Sequence, residues 1–370
     1  MVIADWKPIV PGLSREHGGP DAAGVPEHDF STNSNACGPC PSAWHAVQRA
    51  DVTRYPDAQY QQLRAQLAQH HGVDGARVVL AGSASEFIFR LTAWAARQGV
   101  QRVELPRHAY GDYAHAAQAW GLATQRYADS GRLDPAPGAD PAADGVPSLW
   151  PPAPRLRWAC DPSSPLGQGV GVGVFQDCDI AVLDRAYHPL RLSGPSAWDE
   201  ARLQRVWQLF SPNKALGLTG VRGAYALAPE GAEEAAQALA ALCPSWPLGA
   251  QGVALLQAWC QPESAAWLVE SRATLRQWKA RQQALFRDQG WTVRPSQANF
   301  FCVRVPPEWS PALPVWRQAG VKLRDAHSFD LPGHWRLGVL PPASQDALQA
   351  LLQQGPPPVL AGPHPSKSSP

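Results

Sequence analysis

From residue 77 to residue 227 short apolar runs alternate with stretches whose apolar residues recur at helical spacing. RVVLA (77–81), QRVEL (101–105), ATQRY (123–127), LRWAC (156–160), IAVL (180–183), RVWQLF (205–210) and GAYAL (223–227) have the length and content of strands. Between them, residues 82–97 and 112–120 read as amphipathic helices. Strands alternating with helices predict an α/β fold with a mostly parallel sheet covered on both faces, assigned here to a large domain over residues 51–245. Upstream, residues 42–50 and 60–70 read as helices. The second carries Tyr60, Leu63, Leu67 and His70 on one face, and Asp57 of RYPD (54–57) is placed to cap it. After a helix over 231–242, PSWP (244–247) breaks the chain, and Pro262 parts helices over 249–260 and 263–289. Strands at 291–294, 299–305, 321–324 and 334–339, with helices near 314–319 and 344–354, describe a smaller α+β domain over residues 246–355. Residues 1–50 supply an N-terminal arm and a segment of that smaller domain. The proline- and alanine-rich residues 129–154 read as a surface loop, and 356–370 as a disordered tail.

Composition narrows the function. The chain has 370 residues, 45% hydrophobic and 17% charged, which is globular. A formal net charge of +1 without a basic cluster argues against nucleic acid or an anionic membrane as partner. No apolar run has the length of a membrane span, and MVIADWKPIVPG lacks the regions of a signal peptide, so the expected location is cytoplasmic. The seven scattered cysteines fit a reducing compartment. CGPC (37–40) is similar to a thioredoxin redox motif, but no aromatic precedes it and no second ligand pair stands at zinc spacing; two free thiols in a turn are expected, and no metal site.

In open parallel sheets ligands bind at the carboxyl ends of the strands. Residues 82–85, 106–113, 161–167, 184–187 and 211–214 are therefore the ones that count. The turn at 82–85, with Ser83, Ala84 and Ser85, offers free N–H groups, hydroxyls and a helix dipole suited to phosphate, although small residues open many helices. Asp184, ending IAVLD, can hold a proton on a heteroaromatic nitrogen; its bland alternative is a helix cap or a salt bridge to Arg185. Tyr187 is placed to donate to a phenolate oxygen, and Tyr110 to stack on a ring or simply to pack. Arg222 suits a phosphate and Arg336 a carboxylate. Of the five lysines, Lys214 alone sits among hydroxyl, amide and glycine positions, whereas Lys279 in LRQWKARQQALF reads as part of a solvated face. Together these describe pyridoxal 5′-phosphate bound as a Schiff base.

The order and spacing of several motifs carry a resemblance. They are NSN (33–35) with Gly38-Pro39, RYPD (54–57), AGSASE (81–86), Pro106 with YGDY (110–113), DPSSPLG (161–167), DRAY (184–187), SPNKALGLTGVR (211–222) and HWRLG (334–338). Across residues 29–354 they resemble the fold-type I pyridoxal-phosphate enzymes of the class I/II aminotransferase branch, most closely histidinol-phosphate aminotransferases and threonine-phosphate decarboxylases. The resemblance implies a Schiff base on Lys214, Asp184 on the pyridine nitrogen, Tyr187 on the phenolic oxygen and Tyr110 stacked on the ring. It implies a phosphate held by residues 83–85, Ser211, Arg222 and the partner subunit's Tyr55, hence a homodimer with a shared site. Ser164 stands where the family usually carries asparagine beside the phenolic oxygen. Arg336 would take the substrate carboxylate, with Arg324, Asn35 and His17 as further substrate contacts. HGG (17–19) followed by DFS (29–31) is similar to the start of threonine-phosphate decarboxylases. An aminotransferase for a small L-amino acid, phosphorylated or not, is the leading expectation. A decarboxylase of that kind and a non-catalytic cofactor-binding paralogue are the alternatives.

Overall fold

The computed structural model describes residues 17–128, 154–175 and 179–358. The surface loop expected over 129–154 lies outside the described residues except for Pro154, as do the first sixteen residues of the arm and the tail beyond 358. The first regular elements are β1 (His28–Asp29), α1 (Pro41–Gln48) and α2 (Gln61–His71). Pro41 occupies the first turn of α1, where its missing N–H costs nothing. Asp57 accepts from the N–H groups of Gln59 and Gln61 (3.1 and 2.8 Å), so the carboxylate does hold the start of α2. Then β2 (Val78–Ala81), α3 (Ala84–Arg97), β3 (Arg102–Pro106), α4 (Gly111–Ala119) and β4 (Ala123–Tyr127) alternate as the pattern predicts. They are followed by β5 (Arg155–Cys160), β6 (Ile180–Asp184), the single turn α5 (Glu200–Leu203), β7 (Trp207–Phe210), β8 (Ala224–Leu227) and α6 (Glu233–Ala241).

Strands β2 to β8 form one seven-stranded sheet in the order β2-β8-β7-β6-β5-β3-β4. The run from β7 to β4 is parallel throughout, and β8 alone runs against its neighbours. Period-2 alternation sends residues to both faces. Val79, Ala81, Val182 and Leu209 meet α3, α4 and α6 in one core, while Val78, Leu80 and Phe210 meet α2 on the opposite face, and Leu183 joins a further cluster with Leu203 and Trp198. Burying Phe87, Ile88 and Leu91 of α3 contributes about 1.5–3 kcal/mol per side chain.

The rest of the chain packs around a second sheet. Helices α7 (Ala250–Trp259) and α8 (Pro262–Arg287) precede β9 (Phe300–Arg304), α9 (Ala312–Gln318), β10 (Val321–Lys322), β11 (Arg324–Asp325), β12 (His334–Gly338) and α10 (Pro342–Gln353). The order β11-β12-β9 is antiparallel, and β1 pairs in parallel with β10. Phe30, just after β1, is fully buried in the core that Phe301, Trp335, Leu337 and α8 share.

Three expectations are corrected. The strand at 291–294 shrinks to one bridge, Val293 to Val303, because Pro295 follows directly and cannot donate to a ladder. The strand at 321–324 is two, β10 and β11, each in a different sheet. Lys279 is buried, not solvated: its Nζ donates to the carbonyls of Ser296 (2.7 Å) and Ala298 (2.6 Å) and to Ser296 Oγ (3.3 Å). Among the described residues no helix is long and apolar enough to cross a membrane.

Candidate active site

A cavity of about 1200 Å³ opens at the carboxyl ends of the parallel strands. Cys160 and Asp184, the last residues of β5 and β6, lie side by side in register at its floor. Asp184 is buried, and burial pushes its carboxyl above the ordinary range. Two donors oppose that shift: the Ala186 N–H to Oδ1 (2.9 Å) and the Tyr113 hydroxyl to Oδ2 (2.7 Å). The alternative salt bridge to Arg185 is absent among these contacts, since that guanidinium donates to Gln208 (2.7 Å) and lies over Phe210.

A capped helix N-terminus meets the cavity at α3. Ser83 caps the helix by accepting from the Glu86 N–H (3.0 Å), and Glu86 reaches back to the Gly82 N–H (3.2 Å). The first N–H groups of a helix have no intrahelical acceptor, and here they belong to Ala84 and Ser85, both on the cavity wall. Ser85 Oγ is 3.2 Å from the Tyr110 hydroxyl. Burial pushes the Tyr110 phenol up, so it remains a neutral ring wall and donor.

Lys214 stands after β7 in a loop that the chain ties tightly. Ser211 Oγ donates to Asn213 Oδ1 (2.9 Å), and Asn213 Nδ2 donates across the loop to the carbonyls of Thr219 (3.3 Å) and Val221 (3.4 Å). Gly217 has φ +69°, and a Cβ there would stand 2.5 Å from the Gly38 carbonyl, so only glycine fits where the 38–39 segment crosses. The Lys214 ammonium sits 5.6 Å from the centre of the Tyr187 ring, which meets Phe300 edge-on at 4.8 Å. Ser164 lines the cavity and is buried; Arg222 lines it and is exposed.

One part of the lining is cationic. Arg324 and Arg336 face each other across β11 and β12, both buried, with their guanidinium carbons 5.3 and 5.1 Å from the Phe329 ring centre. Arg336 donates to the Ser31 carbonyl (2.9 Å) and Arg324 to Ser328 Oγ (2.7 Å). Like charges opposite one another on a strand pair repel. His17 completes the mouth, its ring 6.1 Å from that of Tyr110.

Two expected residues stand elsewhere. Tyr55 is 78% exposed, outside the cavity, and stacked on Trp246 at 4.5 Å. Asn35 is buried behind the lysine loop, where its N–H donates to the Lys214 carbonyl (2.9 Å) and its Nδ2 to that of Ala215 (3.0 Å). Asn33 takes the wall position instead, donating to the Tyr187 hydroxyl at 3.4 Å. Its Oδ1 is buried without a hydrogen-bond partner among the described residues. Sequence reasoning missed Asn33 and Tyr113. The second had a signal, since it lies three residues after Tyr110 on one helix face. Cys37 and Cys40 are free: the first lies 3.6 Å from the Ser271 carbonyl and the second 3.7 Å from Ser264 Oγ.

A buried carboxylate, a helix N-terminus, an aromatic wall and a lysine facing one cavity fit pyridoxal 5′-phosphate. Comparison with known proteins agrees. The histidinol-phosphate aminotransferase of Symbiobacterium thermophilum is 27% identical, covering 95% of this chain and 98% of its own. The solved histidinol-phosphate aminotransferase of Sinorhizobium meliloti, in complex with pyridoxal-5′-phosphate, superimposes with a TM-score of 0.71 at 24% identity, covering 87% of this chain and 89% of that one. The L-threonine-O-3-phosphate decarboxylase of Porphyromonas gingivalis shares the fold (TM-score 0.67, 17% identity, 88% of this chain and 98% of that one). The family model for aminotransferase class I and II matches residues 26–137 and 180–354, most of the chain, which thus belongs to that family of pyridoxal-phosphate enzymes.

Proposed function

We propose that this aminotransferase acts on a small L-amino acid carrying a second anionic group, with Lys214 as the cofactor's covalent attachment point. The observation that carries the reading is that Lys214, Asp184 and Tyr187 line one cavity together with Arg324 and Arg336. When bound, pyridoxal 5′-phosphate supplies an electron sink for the pair released at the substrate's α-carbon. Asp184 holds the ring nitrogen's proton, and Tyr187 with Asn33 donates toward the phenolic oxygen. Ala84, Ser85, Ser211 and Arg222 hold the phosphate. Arg336 binds the α-carboxylate, and Arg324 with His17 takes the second anion. Lys214 Nζ, lining the same cavity, would be the base that carries the α-proton. Histidinol phosphate, the compound named for the relatives, carries a phosphate and no carboxylate, which supports a phosphate as one of the anions this arginine pair takes. The exposed Tyr55, with Val52 (70% exposed) and Trp246 beside it, supports a second copy of the chain as the partner that receives Tyr55. The free thiols support a cytoplasmic location.

Borohydride reduction of the holoenzyme should fix the cofactor on Lys214, and Lys214→Ala should abolish the fixed label. Labelling of another lysine overturns the assignment. A lyase reading is favoured by one observation, the approach of His17 to the cavity mouth. A panel including O-phosphothreonine and histidinol phosphate separates the two. Conversion of the cofactor to its amine form marks a transaminase, and carbon dioxide release with the cofactor unchanged marks a decarboxylase.

A further inference from the structure

Tyr113 stands in the first turn of α4, wholly buried, and packing alone does not explain why it is a tyrosine. Its ring stacks on Trp158 of β5 (centroids 4.7 Å apart, 12° between planes) and meets Tyr110 edge-on at 5.8 Å. A phenylalanine would make the same two contacts. What only tyrosine adds is the hydroxyl, which donates to Asp184 Oδ2 at 2.7 Å.

We infer that Tyr113 is a positioning residue that keeps the Asp184 carboxylate ionised and oriented toward the cofactor's ring nitrogen. The inference rests on the reading of Asp184 given above. A carboxylate at the end of a buried strand is costly to hold charged unless each oxygen is hydrogen-bonded. The Ala186 N–H serves Oδ1 and Tyr113 serves Oδ2, which fixes the plane of the group while Asp184 still lines the cavity. The other titratable groups around the pair are Cys160, Tyr110 and Lys214, and only Lys214 adds a positive charge. Burial, with the Asp184 charge beside it, pushes the Tyr113 phenol well above its ordinary value, so the proton stays on the tyrosine and the charge on the aspartate. Because Tyr113 also touches Tyr110, one side chain braces both the ring-nitrogen partner and the ring-stacking wall.

The test titrates wild-type, Tyr113→Phe and Asp184→Asn holoenzymes with acid and base, following the cofactor's visible absorbance, and measures cofactor affinity by rebinding to the stripped protein. Without the hydroxyl, Asp184 competes for the ring proton more strongly. The pH of the spectral transition in Tyr113→Phe should therefore move the same way as in Asp184→Asn, by about half a unit or more, and cofactor affinity should fall about three- to tenfold. Thermal unfolding of the apo-variant reports whether the fold is intact, because the Phe ring retains both stacking contacts. If Asp184→Asn moves spectrum and affinity while Tyr113→Phe matches wild type in both, Tyr113 merely packs and the inference is overturned. If Asp184→Asn itself changes neither, the reading of Asp184 fails and takes the inference with it.

Discussion

Replacing Lys279 with methionine tests how a buried ammonium braces the site. Lys279 lies on the inner stripe of α8, and burial pushes its ammonium from 10.5 down to about 8. The three oxygens it donates to belong to Ser296 and Ala298. That turn is a junction: the Gln297 N–H reaches the Gly167 carbonyl and its carbonyl accepts from Leu192, so α8 holds the segments on either side of Tyr187. The unfolded lysine stays protonated up to its ordinary value while the folded one loses its proton near 8. Between those two values the unfolded chain binds more protons, so stability rises with pH across that window. At about 1.4 kcal/mol per unit, the group contributes about 3 kcal/mol of destabilisation below the window that is relieved above it. Methionine removes the titration and leaves two carbonyls without a donor, at about 1–3 kcal/mol each. At neutral pH the lost bonds and the relieved burial of charge roughly offset. Urea unfolding of both proteins by tryptophan fluorescence, at about pH 7.5 and about pH 10, should show wild type gaining about 2–3 kcal/mol over the variant as pH rises. Comparing the two proteins at each pH cancels every titration they share. A gap that stays constant, or closes, refutes the buried-ammonium argument.

Arg336→Ala should weaken amino-acid binding by about 1.5–3 kcal/mol for each charge-assisted bond lost, read as the substrate dependence of the cofactor's spectral change. Unchanged affinity would remove its carboxylate role. The exposed Tyr55–Trp246 stack predicts a dimer in sedimentation. Mixing Tyr55→Ala subunits with Lys214→Ala subunits should then restore one native site per mixed dimer, and no restored activity or a monomeric holoenzyme would sink the shared-site reading.

The parallel centre of the fold was legible because β5, β6 and β7 are apolar runs buried on both faces, a pattern that needs no partner to be recognised. The residues ending them, Asp184 and the Ser211–Lys214 turn, followed from topology alone. The two-residue strand β1 was not legible, nor was the split of the 321–324 strand into β10 and β11, because a pair of ordinary residues is assigned to a sheet only by the segment that arrives beside it. Asn33 and Asn35 show the same limit at one side chain. Both stand in one tripeptide, and the bond from the Asn35 N–H to the Lys214 carbonyl turns Asn35 inward and leaves Asn33 for the cavity. Lys279 was misread although its spacing was informative. It falls with Leu268, Ser271, Leu275, Gln282 and Phe286 on one buried stripe, and its charge outweighed its position.

The stitching of β1 to β10 also bears on how the chain is made. Asp21 pairs with Arg317 across 296 residues, and Lys322 reaches back to Gly19 across 303. At ordinary rates of synthesis the first of these partners waits roughly 15 to 60 seconds for the second to leave the ribosome. Phe30 spends that time without its core, so the N-terminal segment of the nascent chain is a natural client for a chaperone. Arg324 and Arg336 emerge later still, on β11 and β12. On the roles proposed for these arginines, the substrate-binding wall would be complete only when translation is nearly finished, and a truncated product that keeps Lys214 but lacks β12 would lack the arginine proposed to anchor the substrate carboxylate.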